Sequence, residues 1–551
     1  MKAIKFIILT SAFFAGPLSF IQAQEIKKEV EVVKPYEPIV SDAYKINILP
    51  KINDSVVIKP AFSYSIVPAM IKTDYQVNPI NAAKMVSMPL TKLYRSYLKL
   101  GIGSTGTPLG ELYVNSLRSK KHSAGIYFHH HSSAGKVKLA NDDKVYAGYS
   151  ETQASVFGKR FFKNSYIYGD GSISGNTNYQ YGYNPAIDTV LEKGEIRQTL
   201  FLAALNAGIR SSHADSSKLS YNVAFGYKFM QNRFKQNQNA ISFAAEGMQR
   251  YKMLMLGLNA SLNVLKPNSA FDTVTYTNTC FTLHPFATFG TSEYNVRAGL
   301  DINFENQADK LTLRLYPEAE ININIAKNVL VGFIGVRGQV KQHSYADIFY
   351  ENPFIRPNLL VNNSYLRMGN YGGLKGSLAS KASYVAKLDF SRVKNQYFFV
   401  NDSTSPILNQ FGVVYDDYTQ VTVSGELNYQ INESIGLNAN VNFYQYQMAN
   451  EAQAWHKPNF DLTLSATYNL RNKIIANIDI IGMGKRYAKL PKNEVKELSG
   501  VADINLGLEY RYTKILSAWL KLNNIAASKY EVWKFYPTQR FNFMLGITYS
   551  L

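Results

Sequence analysis

Three consecutive histidines, His129, His130 and His131, form the most chemically suggestive cluster in the sequence. In a β-strand His129 and His131 share one face, so their two imidazoles could join in holding a metal ion. No carboxylate or cysteine lies close to them along the chain, and His130 faces the other way. A strand end at a membrane interface explains the three residues equally well. We therefore predict neither a metal site nor a bound cofactor.

Two serines, Ser132 and Ser133, follow the histidines and raise the question of nucleophilic catalysis. A hydrolase needs a nucleophile, a base and an orienting group held together in space. Adjacency in the sequence does not create that arrangement, and no recognisable catalytic motif surrounds these serines. We expect a protein that is not an enzyme. Its function must be inferred from the predicted secondary structure that contains these residues.

The N-terminus has the order of segments typical of an export signal. Lys2 and Lys5 precede an apolar run over residues 6–20, and the small-residue site Ile21-Gln22-Ala23 follows. This order predicts a secretory signal peptide over residues 1–23. A retained helical anchor is the alternative, but Gly16-Pro17 interrupts the run, which is also short for a bilayer.

The composition favours one large exported domain over several soluble domains. The chain has 39 tyrosines and 31 phenylalanines, and only 18% of its residues are charged; aromatic residues favour strands and membrane interfaces. Its single cysteine, Cys280, excludes an internal disulfide. The formal charge of +19 becomes +17 when Lys2 and Lys5 are removed. That charge could attract outer-membrane lipid, lipopolysaccharide phosphates or anionic substrates, or it could reflect scattered surface lysine and arginine. We expect no nucleic-acid partner.

Alternation with a period of two is the strongest structural pattern. Apolar and polar residues alternate over 318–325, 435–443, 460–470, 502–512 and 541–551. Such segments are longer than the strands of a soluble sandwich, and their polar faces carry charges that a packed core excludes. The pattern predicts an all-β fold, a transmembrane antiparallel β-barrel in the outer membrane.

Ten short polar turns divide the barrel into hairpins. We predict them near Lys121, Asn164, Asp215, Arg250, Ser292, Lys327, Lys381, Glu433, Asn472 and Thr513. With both chain ends in the periplasm, ten inner turns imply about 22 strands, and one missed or invented hairpin changes that number by two. Longer connections, predicted to be extracellular, cover 177–195, 267–277, 342–366, 400–410, 449–457, 485–498 and 526–537.

Residues 24–93 differ from the barrel that follows over 94–551. Proline recurs at seven positions in this segment, and little amphipathic periodicity is present. We predict a short extended segment that lies in the periplasm or in the barrel lumen. Because a lumen of 22 strands is too wide for wall side chains to fill, this segment is expected to occlude it, as the only candidate within the chain.

The C-terminus resembles that of the TonB-dependent receptors. Residues 521–525, Tyr530-Glu531-Val532-Trp533 and Tyr536-Pro537 look like that family's last extracellular loop, and 543–551 is similar to its closing strand. The resemblance implies a signal for the barrel-assembly machinery at Gly546, Tyr549 and Leu551. The chain departs from the pattern in ending on leucine rather than phenylalanine, and in having Met544 where a polar residue is usual.

A second departure concerns the folded plug that the resemblance would imply. The 70 residues of 24–93 are too few for it and lack its pattern of strands, helices and glycine turns. Residues 29–33 are a loose match to the family's energy-coupling box, so contact with TonB stays open. Closure by a separate outer-membrane or lipoprotein partner is the alternative to closure by residues 24–93.

Alternation also predicts which charged side chains point into the lumen. These are Arg314, Glu318, Glu320, Asp461, Asp479, Asp503, Glu509 and Arg511. They could set selectivity or hold an inserted segment, or they could simply hydrate a wide lumen and pair across strands. Two functions remain open: a channel or receptor-like transport protein, and a structural or accessory subunit of an outer-membrane complex. The width of the lumen favours the first.

Overall fold

The computed structural model describes residues 94–551, apart from 188, 190–191, 214, 268–276, 328, 360 and 379–380. The predicted signal peptide, residues 1–23, and the predicted extended segment, residues 24–93, lie outside the described residues. Antiparallel strands form most of the described chain, because apolar and polar side chains alternate along it as a two-sided sheet requires.

Twenty-two of the described strands form the barrel. They are β1 (Ser96–Gly103), β2 (Thr107–Asn115), β3 (His122–Ser133), β6 (Tyr149–Phe161), β7 (Ser165–Tyr179), β8 (Arg197–Ser211), β9 (Ser220–Asn232), β10 (Asn237–Tyr251), β11 (Leu254–Pro267), β12 (Asn278–Gly290), β13 (Tyr294–Gln307), β14 (Lys310–Ala326), β15 (Leu330–Lys341), β16 (Ser364–Leu378), β17 (Ala382–Asn401), β18 (Phe411–Asn432), β19 (Ile435–Met448), β20 (Phe460–Leu470), β21 (Ile474–Met483), β24 (Val501–Arg511), β25 (Leu516–Asn523) and β28 (Asn542–Ser550).

Six short strands and two helical turns lie in the connections. The strands are β4 (Lys136–Lys138), β5 (Lys144–Tyr146), β22 (Arg486–Lys489), β23 (Val495–Leu498), β26 (Glu531–Trp533) and β27 (Tyr536–Pro537), and they pair as three hairpins. The helix α1 (Tyr345–Glu351) and a 3₁₀ turn (Pro491–Asn493) complete the described elements. In this part of the chain, no helix combines the length and the apolar character needed to cross a membrane.

The barrel closes between its first and last strands. Each barrel strand pairs antiparallel with its neighbours along the chain, and β1 pairs with β28 from Tyr97 opposite Ser550 to Gly103 opposite Met544. Closure satisfies the backbone groups of both edge strands, as a sheet in lipid requires. The predicted fold class and the predicted number of 22 strands are confirmed.

The two faces of the barrel wall differ sharply in chemistry. On β14 the side chains of Leu311, Leu313 and Leu315 are 73%, 55% and 55% exposed. The intervening Arg314 points to the other face, where it contacts Glu305 of β13. Exposed aliphatic side chains on the outer face suit lipid, and the polar inner face suits a hydrated lumen.

One end of the barrel, the turn end, carries the ten short turns at the predicted positions. The turn between β20 and β21 shows how they are made: Arg471 and Asn472 have φ of 51° and 55°. Two consecutive residues in this left-handed region reverse the chain tightly, and their twist matches that of the flanking strands. Tight turns at one end leave the longer connections for the other end, the loop end.

The loop end is less uniform than the sequence predicted. Three of its connections, 104–106, 233–236 and 308–309, are as short as the turns. Ala308 and Asp309 adopt φ of 51° and 60°, so two residues suffice to join β13 to β14. The connection 134–148, which contains the hairpin β4–β5, was not predicted.

Two adjacent residues of β20 provide a matched test of the two faces. Leu464 is 37% exposed on the outer face, and Thr463 lies on the inner face opposite Asn440. We expect Leu464→Arg to destabilise the inserted barrel by about 2–4 kcal/mol, the typical cost of arginine facing lipid at mid-membrane. Thr463→Arg should insert almost normally, because its charge meets water. Urea titration in lipid vesicles measures both, and equal losses would refute this assignment of faces.

Candidate functional site: a cap of loops over one end of the barrel

Six connections at the loop end fold together into one structure, which we call the cap. They are the described residues of 180–196, 342–363, 402–410, 449–459, 484–500 and 524–541. Apolar side chains of connections 342–363 and 524–541, with those at the adjoining strand ends, form a buried core made of Leu200, Met230, Tyr345, Ile348, Phe349, Ile355, Leu359, Tyr397, Phe399, Phe411 and Tyr536. Hydrophobic burial of this kind stabilises loops that would otherwise remain solvated.

Loops from nearly opposite sides of the ring are bonded to each other in the cap. Connection 180–196 joins β7 to β8, and 402–410 joins β17 to β18, ten strands further around a ring of 22. Asn409 Nδ2 donates to the carbonyl of Gln180 at 3.1 Å, and the amide of Asn184 donates to the carbonyl of Ile407 at 3.1 Å. A ring of this size is roughly 40 Å across, so these loops span its opening.

Phe411 lies at the centre of the cap core. Its side chain is fully buried, and its ring centroid lies 5.5 Å from that of His456, 5.7 Å from Trp533 and 5.9 Å from Tyr536. These partners come from connections 449–459 and 524–541, so Phe411, the first residue of β18, joins two loops at the end of a barrel strand. Tyr536 also stacks on Phe354 at 3.8 Å, which adds connection 342–363 as a third loop.

Buried charges in the cap are satisfied by partners from other loops. The guanidinium of Arg486 is 1% exposed and donates to the carbonyls of Glu531 and Val532, each at 2.8 Å. Lys457 Nζ lies 2.7 Å from Glu351 Oε1, which ties connection 449–459 to α1. Because Arg486 is buried, loss of its acceptors would be costly. The Lys457–Glu351 pair, whose side chains are 30% and 33% exposed, adds a partly solvated link between two loops.

The cap also holds two buried histidines, one in each of two loops. His456 accepts the amide N–H of Lys534 at Nε2 and donates from Nδ1 to the carbonyl of Phe399 at 3.1 Å. His343 Nε2 lies 2.7 Å from Ser364 Oγ. Burial lowers the pKa of His456 to about 3 and that of His343 to about 4. Both imidazoles are therefore neutral in the closed cap.

Acidification should loosen the cap. When the loops separate, each imidazole regains an ordinary pKa near 6.5. The open form therefore binds more protons than the closed form below that pH, and the closed form loses stability as the pH falls from about 6.5 toward 4. Each histidine can contribute on the order of 3 kcal/mol.

The fluorescence of Trp533 and Trp455, both in cap loops, should report this loosening between pH 7 and pH 4.5. His456→Gln should weaken the pH dependence, whereas the exposed His122→Gln should not. A pH-independent cap would contradict the prediction.

Each of the eight charged residues predicted to face the lumen contacts another polar group. Glu318 Oε1 and Oε2 lie 3.1 Å from Arg297 and 2.6 Å from His284. The partners of the others are Glu305 for Arg314, Tyr371 for Glu320, Asn442 for Asp461, Ser465 for Asp479, Tyr530 for Asp503, and each other for Glu509 and Arg511. Pairing across the wall accounts for these contacts, and a role in selectivity stays a prediction.

The three residues of the predicted assembly signal lie on the closing strand β28. Gly546 faces inward beside Trp519, and an added Cβ there would collide with the indole and with the carbonyl of Leu100. Tyr549 is paired with Leu98 and with Leu516. The carbonyl of Leu551 accepts the amide of Ser96 at 3.0 Å. These contacts close the barrel; recognition by assembly machinery stays a prediction.

The histidine cluster lies on β3 as the alternation predicted, with His129 and His131 inside. Sequence reasoning missed a carboxylate on the next strand: Glu111 Oε1 lies 3.6 Å from His129 Nδ1. Within the described ranges, no group of three or more His, Cys, Asp or Glu side chains has a geometry that could hold a metal ion. His130 Nε2 lies 3.2 Å from Ser132 Oγ, and no carboxylate orients this pair.

The cap corrects one inference from the sequence. Residues 24–93 were expected to be the only part of the chain able to occlude the lumen, but the loops themselves span one opening. Sequence reasoning missed this because contacts such as Phe411 with Trp533 and Tyr536 with Phe354 join positions more than a hundred residues apart. Tyrosine and tryptophan in loops 449–457 and 526–537 were the available signal, since exposed loops rarely need them.

Comparisons with known proteins agree with the fold. No family model matches the sequence, and a search of curated proteins found no significant match. Among solved structures, the closed form of the ferric-catecholate import receptor Fiu from E. coli K12 has a TM-score of 0.64 at 9% identity, over 84% of this chain and 82% of that one. The FrpB iron transporter from Neisseria meningitidis has 0.64 at 11%, over 84% and 82%.

The copper transporter OprC has a TM-score of 0.63 at 11% identity, over 83% of both chains. Identities this low show a common fold. The chain thus has the 22-stranded outer-membrane barrel fold of the TonB-dependent receptors, and the resemblance predicted from its C-terminus is confirmed at the level of the fold.

Proposed function

We propose that this chain is an outer-membrane transport protein, a channel or receptor-like importer whose passage is controlled by the cap. The hydrogen bonds between loops 180–196 and 402–410 carry this proposal, because they place a closure across one end of a wide polar lumen. A closure made of loops can be released by separating them, whereas a filled core cannot. The names of the structural neighbours, an import receptor and two transporters, support the same function.

A disulfide across the mouth tests whether the cap is a gate. Asn184→Cys with Ile407→Cys, in a Cys280→Ser background, joins two loops at a backbone hydrogen bond and so at a separation suited to a disulfide. In planar bilayers we expect the unlocked barrel to show transient openings, the oxidised barrel to show none, and reductant to restore them. Openings that persist after complete oxidation would refute gating by the cap.

The alternative function, a structural or accessory subunit, makes the opposite prediction for the same recordings. In that case the unlocked barrel would never open, and a stable outer-membrane or lipoprotein partner would co-purify from native membranes. The tight bonding of the cap is the observation that favours this alternative. The two functions are therefore separated by one set of recordings and one purification.

We further propose that the loop end faces the outside of the cell and the turn end faces the periplasm. Epitope tags at 192, 404 or 490, all in the cap, should be reachable by antibody on intact cells. Tags at 327 or 471, both in turns, should become reachable only after the outer membrane is permeabilised. Surface labelling at 327 or 471 would reverse the assigned orientation.

The N-terminal part completes the proposal. Residues 1–23 serve as the export signal, and occlusion of the lumen by residues 24–93 or by a partner protein is the alternative to closure by the cap. The barrel-assembly machinery inserts residues 94–551 among outer-membrane lipid and lipopolysaccharide, and contact of residues 29–33 with TonB remains to be tested. The proline-rich composition of 24–93 supports threading into a lumen over folding as a plug.

A further inference from the structure

A cavity of about 210 Å³ lies inside the lumen, between the barrel wall and the start of the cap. Strands β8, β9, β10 and β11 form its wall side, and residues 342–347, which lead into α1, form its cap side. The cavity therefore has one rigid wall and one wall that belongs to the loops.

Opposite charges line the two sides of this cavity. Lys228, on the wall, makes no ion pair within the described part of the chain. Asp347, on α1, accepts the amide and the hydroxyl of Ser344 at 2.9 Å and 2.8 Å, both through Oδ2. Its other oxygen, Oδ1, receives no hydrogen bond from the residues described. The ammonium group of Lys228 and Oδ1 of Asp347 can therefore each contact a bound ligand.

The rest of the lining combines six apolar residues with the polar residues Gln238, Ser242, Asn263, Gln342 and Ser344. Met230 and Leu265 are 3% and 9% exposed, and Leu202 and Ala240 complete the surface beside them. An apolar surface next to two separated charges complements a small zwitterion, a molecule with one cationic and one anionic group, that has a short hydrocarbon side chain. The volume suits about ten non-hydrogen atoms, which excludes larger cargo.

We propose that this cavity binds an apolar α-amino acid. Its carboxylate would contact Lys228, its ammonium group would contact Asp347 Oδ1, and its side chain would pack on Met230 and Leu265. Because Asp347 belongs to α1, the bound molecule would tie the cap to the barrel wall. Binding of an amino acid in this cavity goes beyond the proposed function and does not require that the barrel transports a solute.

Calorimetry on the purified full-length barrel tests the proposal with three probes: L-leucine, 4-methylpentanoate, which lacks the ammonium group, and 3-methylbutylamine, which lacks the carboxylate. We expect L-leucine to bind at least about tenfold more tightly than either analogue, because each analogue lacks one of the two charged groups; tenfold corresponds to about 1.4 kcal/mol. Lys228→Gln should abolish the preference over 3-methylbutylamine. Asp347→Asn, which keeps an acceptor for Ser344, should abolish the preference over 4-methylpentanoate.

Two further variants separate a specific site from general effects. Ala240→Phe fills the cavity and should abolish binding, and heat-modifiable migration would verify that the barrel is intact. Arg210→Gln removes a charge from the inner face of β8 outside the cavity lining and should bind L-leucine as the unmodified chain does. Absence of L-leucine binding, or binding unchanged in both Lys228→Gln and Ala240→Phe, would overturn the proposal.

Discussion

Replacing Phe411 with aspartate should open the cap and raise the conductance of the barrel by a large factor. The side chain is fully buried and contacts rings from two loops. Truncating a buried phenylalanine alone costs about 3–5 kcal/mol, and placing an unpaired carboxylate in its position adds several kcal/mol more. Phe411 is the first residue of β18, and its backbone pairing with Asn401 does not depend on the side chain, so the variant should still insert.

A matched control for this variant is Phe234→Asp. Phe234 is an aromatic residue in connection 233–236 at the loop end, where it is 53% exposed and lies outside the cap. We expect the conductance of the Phe234→Asp variant to equal that of the unmodified chain. In Phe411→Asp, Trp533 should also become accessible to a soluble quencher. Unchanged quenching of Trp533 would show that Phe411 does not hold the cap together.

Deleting Tyr549, Ser550 and Leu551 should abolish insertion of the barrel. These residues pair with β1 on one side and β25 on the other, and Leu551 exchanges hydrogen bonds with Ser96. Their loss leaves unpaired backbone groups at the seam, and each unpaired group in lipid costs several kcal/mol. We expect periplasmic degradation and no heat-modifiable band in outer-membrane fractions.

Leu551→Phe provides the control for the deletion, since it keeps the chain length and the backbone pairing of β28. It also restores the terminal residue found in the family that the C-terminus resembles, so insertion should be normal or improved. Normal yields of inserted barrel after the deletion would contradict both the seam argument and the assembly signal.

The barrel was predictable from the sequence because its determinants are local. A period of two along β20 separates Leu464 from Thr463, and the polar residues at Asn164 and Asn472 mark turns where they are expected. Every barrel strand faces lipid on one side and water on the other, so every strand needs alternating apolar and polar residues. The alternation can therefore be recognised in each strand separately. Counting the turns then yields the strand number without any long-range information.

The cap could not be predicted in the same way because its determinants are not local. Gln180 meets Asn409, and His456 meets Lys534, across more than seventy residues of chain. The carboxylate of Glu111 beside His129 was missed for the same reason, since it belongs to the adjacent strand. One sequence shows which residues could form such contacts but not which loops meet.

Conductance of the barrel after removal of residues 35–90 tests the closure by the cap most directly. If the loops close the lumen, this deletion alone leaves it closed, and the same deletion combined with Phe411→Asp conducts at least about tenfold more, as expected for a lumen this wide. Both variants keep the predicted signal and cleavage site, and both should insert. A wide, steady pore after the deletion alone would contradict closure by the cap and would identify residues 24–93 as the occluding element.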